Sequence, residues 1–329
     1  MRRREFIGLL IGAGMTWPRI TYAQQRDSVR RIAFLTGLSE DDPEMKLRLA
    51  AFWQRLEKRG WSEGRNVELI ARFTSGSIDK YTPLAKELVA ARPDVILAQT
   101  TQVVAAIQRE TRSIPIVFVN VSDPIGSGFV TNLAHPDGNL TGVLLYEAGI
   151  VGKWLAMLKE IAPRMERAAF IANPQTSPYN YFLRAAEVAA PPLAIKIVPS
   201  PVKTVVDIKS AISSFAATPN GGLLLPPDSM TIANRDLITG LAAEYKLPAV
   251  YPFHYFVAAG GLMYYGTDQD EIFRLAAAYV DRILRGDKPA DLPVQAPTKF
   301  QTAINLKTAK AAGLTVPPGL IVAADEVIE

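Results

Sequence analysis

The residues able to recognise a charged solute stand in short clusters behind apolar runs. Gln99-Thr100-Thr101-Gln102 ends one run and opens a helical pattern. A threonine there caps the helix, and the free N–H groups of a helix start favour an anion such as a carboxylate. The same threonines would equally serve as an ordinary N-cap. Asn120-Val121-Ser122-Asp123-Pro124 ends the next run. Pro124 biases Asp123 to an extended backbone, where its carboxylate would meet a ligand ammonium or close an Asx turn. In the second half, Asn173 precedes Pro174, and Asp228 follows Pro226-Pro227. Both are candidate polar contacts and, with equal force, turn formers. Tyr251 offers a flat apolar wall with a polar tip, or a core aromatic.

Covalent chemistry finds little support. The chain has no cysteine, which excludes disulfides, thiolate metal sites and thiol nucleophiles. Its two histidines, His135 and His254, are too few for a histidine-rich metal site. His135 sits in a turn-like His-Pro-Asp-Gly, and His254 in an aromatic-rich helical segment; neither shows a positioned partner. Gly126-Ser127-Gly128 lacks the third glycine of a dinucleotide fingerprint, because residue 131 is Thr131. No Gly-x-Ser-x-Gly nucleophile turn or phosphate loop is present. No catalytic residue, metal or cofactor is expected.

The chain of 329 residues carries a net charge of +4. Arg2, Arg3, Arg4 and Arg19 against Glu5 put +3 of this in residues 1–23, leaving +1 for the rest. A nucleic-acid surface is therefore not expected. Those 23 residues have the layout of a secretory leader: a basic start, an apolar stretch to about Trp17, Pro18, and Thr21-Tyr22-Ala23 as a cleavage site. Arg3-Arg4-Glu5-Phe6-Ile7 resembles a twin-arginine signal, with Arg2 where a Ser or Thr is usual. The apolar stretch falls short of the ~20 residues that span a bilayer. No lipid-accepting cysteine follows, so the mature protein is expected free in the periplasm.

The elements that must position these clusters alternate in type. β-Branched runs at 32–36, 67–73, 94–98 and 115–119 are separated by helical periodicity at 43–59, 81–91 and 103–110. In the first of these helices Leu47, Leu49, Ala50, Phe52, Trp53 and Leu56 crowd one side. The same grammar restarts after a helix at 153–161. Strands are expected at 167–172, 194–198, 222–225, 248–250 and 261–265, and helices at 181–190, 205–216 and 231–245. A long amphipathic helix at 270–284 and a strand at 300–306 remain. Strands buried on both faces and joined by helices predict parallel sheets. The expected fold class is α/β, with two doubly wound lobes, a hinge and an interlobe cleft at the carboxyl ends of the strands.

At several of these positions the chain resembles the ABC-transporter substrate-binding family that includes tryptophan-binding proteins. The resemblance is carried by Arg31-Ile-Ala-Phe-Leu35, Gly60-Trp-Ser-Glu-Gly-Arg-Asn-Val67 and Ile114-Pro-Ile-Val-Phe118 through Ser122-Asp123-Pro124. Asn139-Leu-Thr-Gly142, Asn173-Pro174, Tyr251-Pro252, Ala259-Gly-Gly-Leu262 and Asn305-Leu-Lys-Thr-Ala309 extend it. It implies a type I periplasmic binding fold, with chain crossings near 146–150, 265–269 and 304–308. The first lobe would be 30–147 plus 268–304, and the second 148–267 plus 305–329. Ligand positions carry over onto Thr100, Thr101, Ser122, Asp123, Asn173, Asp228 and Tyr251. The implied function is capture of an amino acid or small carboxylate, aromatic ones included, by a monomer that delivers it to an ABC permease in the inner membrane. A sensor subunit, or a hydrolase with an acid/base pair in the cleft, would use the same scaffold.

Overall fold

The computed structural model describes residues 29–329. The leader, the cleavage position near Ala23 and the twin-arginine pattern lie outside the described residues. In chain order, β1 (Arg30–Thr36), α1 (Pro43–Glu57), β2 (Val67–Phe73), α2 (Tyr81–Ala90), β3 (Val95–Gln99), α3 (Thr101–Glu110), β4 (Ile116–Val121) and β5 (Leu140–Leu144) form the first unit. Then come α4 (Ile150–Ile161), β6 (Arg167–Ala172), α5 (Tyr179–Ala189), β7 (Lys196–Pro201), α6 (Val205–Ala216) and β8 (Gly221–Leu224). They are followed by α7 (Ser229–Ala233), α8 (Arg235–Glu244), β9 (Ala249–Tyr251), α9 (His254–Ala258) and β10 (Met263–Thr267). The chain ends with α10 (Gln269–Leu284), β11 (Phe300–Asn305), α11 (Leu306–Ala311), α12 (Pro318–Ala323) and β12 (Glu326–Ile328).

Two sheets result. The first is parallel, ordered β2-β1-β3-β4-β5. The second is ordered β12-β11-β10-β9-β8-β6-β7, so its β7-β6-β8-β9-β10 portion repeats the first order. Central strands such as Val95–Gln99 and Ile116–Val121 are buried along their whole length, as an apolar run covered by helices on both faces requires. Pro199 and Pro201 are tolerated because β7 lies at a sheet edge. Among the described residues no helix is long and apolar enough to cross a membrane.

The strand at Leu140–Leu144 was not expected from the sequence. It follows a loop instead of a helix, so the alternating grammar does not announce it. Gly142 fits close to the Phe118 carbonyl opposite, in a register that shifts between Val119 and Val121. The expected single helix at 231–245 is two, α7 and α8, broken at Asn234.

The long helix α10 packs along α1 and across β3, β4 and β5 of the first sheet. The segment after it runs beside β5, with Leu144 donating to the Gln295 carbonyl at 2.8 Å and Gln295 donating to the Gly142 carbonyl at 2.9 Å. This covers an edge that would otherwise expose unpaired backbone groups. The expected assignment of residues 300–304 to the first lobe, with a crossing near 304–308, is corrected here. β11 pairs antiparallel with β10 from Met263↔Ile304 to Thr267↔Phe300, so these residues belong to the second sheet and the chain crosses just before them. The strand at 300–306 was legible in the sequence; which sheet it joins leaves no local mark, because its partner β10 lies in another part of the chain.

Asp281 pins α10 to the first lobe. Its buried carboxylate accepts from Trp61 Nε1 at 2.9 Å, Arg59 at 3.0 Å and Arg285 at 2.7 Å. Burial pushes its pKa up, but the Trp61 and Arg285 hydrogen bonds and the two guanidinium charges outweigh that and hold it below the ordinary value. The ionised form is the one the fold stabilises. Its contribution is therefore complete above the unfolded pKa near 4 and is lost as pH falls through the lower folded value. Asp281→Asn should cost about 3 kcal/mol in urea unfolding at pH 7. The gap to wild type should close as the pH is lowered below about 4.

Candidate functional site

The strand orders place the site. In a 2-1-3-4-5 sheet the crevice opens at the carboxyl ends of the first and third strands, where the order reverses. In the first sheet that switch point lies between β1 and β3. Thr36 Oγ1 donates to Gln99 Oε1 across it at 2.6 Å. In the second sheet it lies between β6 and β8. There the Asn173 N–H donates to Asp228 Oδ2 at 3.0 Å. The two crevices face each other across a narrow cleft with a cavity volume of about 30 Å³.

The first-lobe wall is built on the turn from β3 into α3. Thr100 has φ 87° and ψ 151°, a conformation a β-branched residue rarely adopts, and neighbouring Asn120 has φ 56°. Backbone strain at two adjacent strand ends is typical of binding sites, at a cost of about 1–3 kcal/mol each. Thr100 Oγ1 caps α3 only loosely, accepting from the Val103 N–H at 3.5 Å. The first N–H groups of this helix, at Thr101 and Gln102, have no intrahelical partner and lie at the cleft. Asn120 Nδ2 donates to Gln269 Oε1 at 2.8 Å, while its buried Oδ1 has no partner.

The second-lobe wall is organised by Asp228. Its Oδ1 accepts from Met230 N–H at 3.1 Å and from the Thr176 hydroxyl; its Oδ2 accepts from Asn173 and Thr231 N–H. Burial raises its pKa against the pull of these donors. The carboxylate's acceptor sites are thus spent on joining the 173–176 loop to the start of α7.

Of the seven residues singled out in the sequence, Thr100, Thr101, Ser122 and Asp228 line the cleft. The other three have local duties. Asp123 Oδ1 accepts from Gly126 N–H at 2.9 Å, an Asx-type turn. Asn173 Oδ1 accepts from Gln175 N–H at 2.9 Å, and its amide reaches Met230 Sδ. Tyr251 is buried, stacks on Phe256 with centroids 4.8 Å apart, and borders a separate cavity of the second lobe. His135 lies in an exposed loop, and His254 pairs with Glu326 at 2.6 Å near the second-sheet edge, away from the cleft. Among the described residues no three His, Cys, Asp or Glu side chains cluster as a metal site.

The sequence reading missed Arg48. It is 1% exposed, lines the cleft, and its Nε and Nη2 have no hydrogen-bond acceptor. Its guanidinium lies 5.8 Å from the ring centroids of both Phe253 and Tyr255 on the opposite lobe. The expected apolar face of α1 is also corrected: Leu47 is 58% exposed, and the buried set is Met45, Arg48, Ala51, Phe52 and Leu56. Residues 45, 48, 52 and 56 recur at helical spacing, a signal that would have placed Arg48 inside.

The lobes meet at this site. A Cβ on Gly37 of the first would stand 2.8 Å from Ser229 Oγ of the second, and Arg235 pairs with Asp42 at 3.6 Å. Leu38, Leu145, Pro178, Ile232 and Phe253 supply the apolar lining.

Known proteins share this arrangement. A family model described as ABC transporter substrate binding protein matches residues 38–328. A tyrosine-binding protein of Clostridioides difficile (strain R20291) is 25% identical over 279 residues, covering 84% of this chain and 79% of that protein. The L-Trp complex of an ABC domain from Streptococcus pneumoniae superposes with TM-score 0.85 at 22% identity, over 92% of this chain and 100% of that one. The ligand-free, open structure of a Clostridium difficile substrate-binding protein with adhesive properties gives 0.66 at 23% identity, over 91% and 99%. Two α/β lobes with facing switch points and a family match over nearly the whole described chain lead to one conclusion: this chain belongs to the ABC transporter substrate-binding protein family.

Proposed function

We propose that the protein is the exported solute-binding component of an importer, which takes up a small solute between its lobes in the periplasm and presents it to an ABC permease. The leader pattern in residues 1–23 supports export. The observation that carries the reading is the cleft itself: both sheets end on it, strained backbone and unpartnered polar groups face it, and the lobes touch at its rim. Its polar first-lobe wall and apolar lining suit an amino acid or small carboxylate, with the acid group toward Arg48 and the start of α3. The tyrosine- and tryptophan-linked names of its relatives fall in this class. Ligand contacts to both lobes favour the closed arrangement, and no bond of the solute need change.

A thermal-shift panel of amino acids and aromatic acids tests the reading on the mature protein. A true ligand raises Tm in step with saturation, by about 2.7 kcal/mol of stability at a hundredfold excess over Kd. A flat response to every member of both sets overturns this ligand class.

A further inference from the structure

The unpartnered Arg48 says more about the solute than its size. A buried guanidinium without a counter-ion is costly, so its partner matters. Three acids around it are committed elsewhere, and a fourth, the half-buried Glu44 one turn earlier on α1, forms no ion pair with it. Asp42 caps α1 through Glu44 N–H at 3.0 Å and pairs with Arg235. Asp268 pairs with Lys299 at 2.9 Å and Arg274 at 3.8 Å. Asp228 has its acceptors filled by the 173–176 loop and α7. The start of α3, ten residues long, adds the positive end of its dipole to the same cleft. One cation and one helix N-terminus therefore converge on a cleft whose lining holds a single carboxylate, Asp228, with its acceptors filled. The remaining buried acceptor, Asn120 Oδ1, is neutral.

We infer that Arg48 is the counter-ion of the solute's acid group, and that the solute is a carboxylate without an α-ammonium, a net anion such as an aliphatic or aryl-substituted monocarboxylate. This rests on the cleft being the solute site. An amino-acid zwitterion would bring a second full positive charge to a cleft that already holds one and whose one lining carboxylate, Asp228, is spent on four protein donors. A simple carboxylate supplies the missing charge, accepts from the guanidinium and the α3 N–H groups, and lays its apolar body against Leu38, Leu145 and Phe253.

Matched pairs of probes differing only in the amine separate the alternatives: 3-phenylpropanoate against L-phenylalanine, and 4-methylpentanoate against L-leucine, by titration calorimetry on the mature protein. At least one acid is expected to bind at least tenfold more tightly than its amino acid. In Arg48→Met that acid should lose about 100-fold in affinity, the usual consequence of removing one side of a buried charge pair. Arg48→Lys should keep part of it. Without ligand, Arg48→Met should melt no lower than wild type, since an unpaired buried cation gives way to an apolar side chain of similar length. Tighter binding of the amino acid in both pairs overturns the inference and leaves the carrier reading standing. So does an Arg48→Met protein that binds its acid as wild type does, or that melts several degrees lower when empty. Silence from acids and amino acids alike overturns the inference and the ligand class together.

Discussion

Asp228→Ala should lower the unfolding free energy by about 3–5 kcal/mol and remove solute binding at any attainable concentration. Four donors converge on this one carboxylate: three backbone N–H groups and the Thr176 hydroxyl. Alanine orphans all four in a place where Asp228 is 2% exposed, so water replaces the lost acceptor poorly. Each buried donor left unpaired costs about 1–3 kcal/mol. The effect on binding is indirect. Asp228 holds the 173–176 loop against α7, and that junction is the second-lobe wall of the cleft. Asp228→Asn retains the shape but faces several donors with an amide that has one acceptor oxygen, so an intermediate loss is expected. Chemical denaturation with calorimetric titration checks both variants. An Asp228→Ala protein of wild-type stability would show that the loop and α7 do not depend on this carboxylate.

Trp154→Ala should cost a comparable 3–5 kcal/mol, the range for deleting a large buried aromatic. Trp154 is 1% exposed, and its indole N–H donates to the Tyr265 carbonyl at 2.7 Å. Its ring meets Tyr146 edge-on, with centroids 5.4 Å apart, and lies near Phe182. Tyr146 in turn donates to the Pro252 carbonyl. The cluster thus ties the start of α4, where the chain enters the second lobe, to β10, from which it leaves. Trp154→Phe keeps most of the packing but leaves the Tyr265 carbonyl without its donor, so a loss of about 1–2 kcal/mol is expected. Thermal unfolding followed by circular dichroism distinguishes the two. A wild-type Tm for Trp154→Ala would mean that these crossings are held by other contacts.

The fold was largely legible because parallel α/β structure writes itself locally. Buried strands read as continuous apolar runs, and their crossover helices as 3.6-residue periodicity. The 95–99 run and the 116–121 run needed nothing from the rest of the chain to be recognised. Elements whose partners lie far away were less legible. The strand at Leu140–Leu144 follows a loop and was missed; β11 was read as a strand, but the sheet it joins is set only by the free edge that β10 offers.

The site divides along the same line. From residue types alone, Thr100, Thr101, Ser122, Asp123, Asn173 and Asp228 could be assigned to strand ends, since polar and turn-forming residues interrupt apolar runs there. Whether each faces a solute or its own backbone is a matter of a rotation at the strand end. Asp and Asn satisfy either with the same atoms. Only the assembled structure turned Thr100 toward the cleft and spent Asp228 on a distant loop, whereas Asp123 closes a local turn with Gly126. Arg48 is the sharpest case. Its helical spacing with Met45, Phe52 and Leu56 marks the buried face of α1, but only the packed lobes show that its guanidinium faces Phe253 and Tyr255 with no acceptor for Nε and Nη2. The sequence by itself determined two parallel α/β lobes and the strand-end positions of their polar clusters, because both follow from local periodicity. The tertiary structure decided which of those groups are free to bind, because a side chain's last hydrogen-bond partner is set by neighbours far away in the chain.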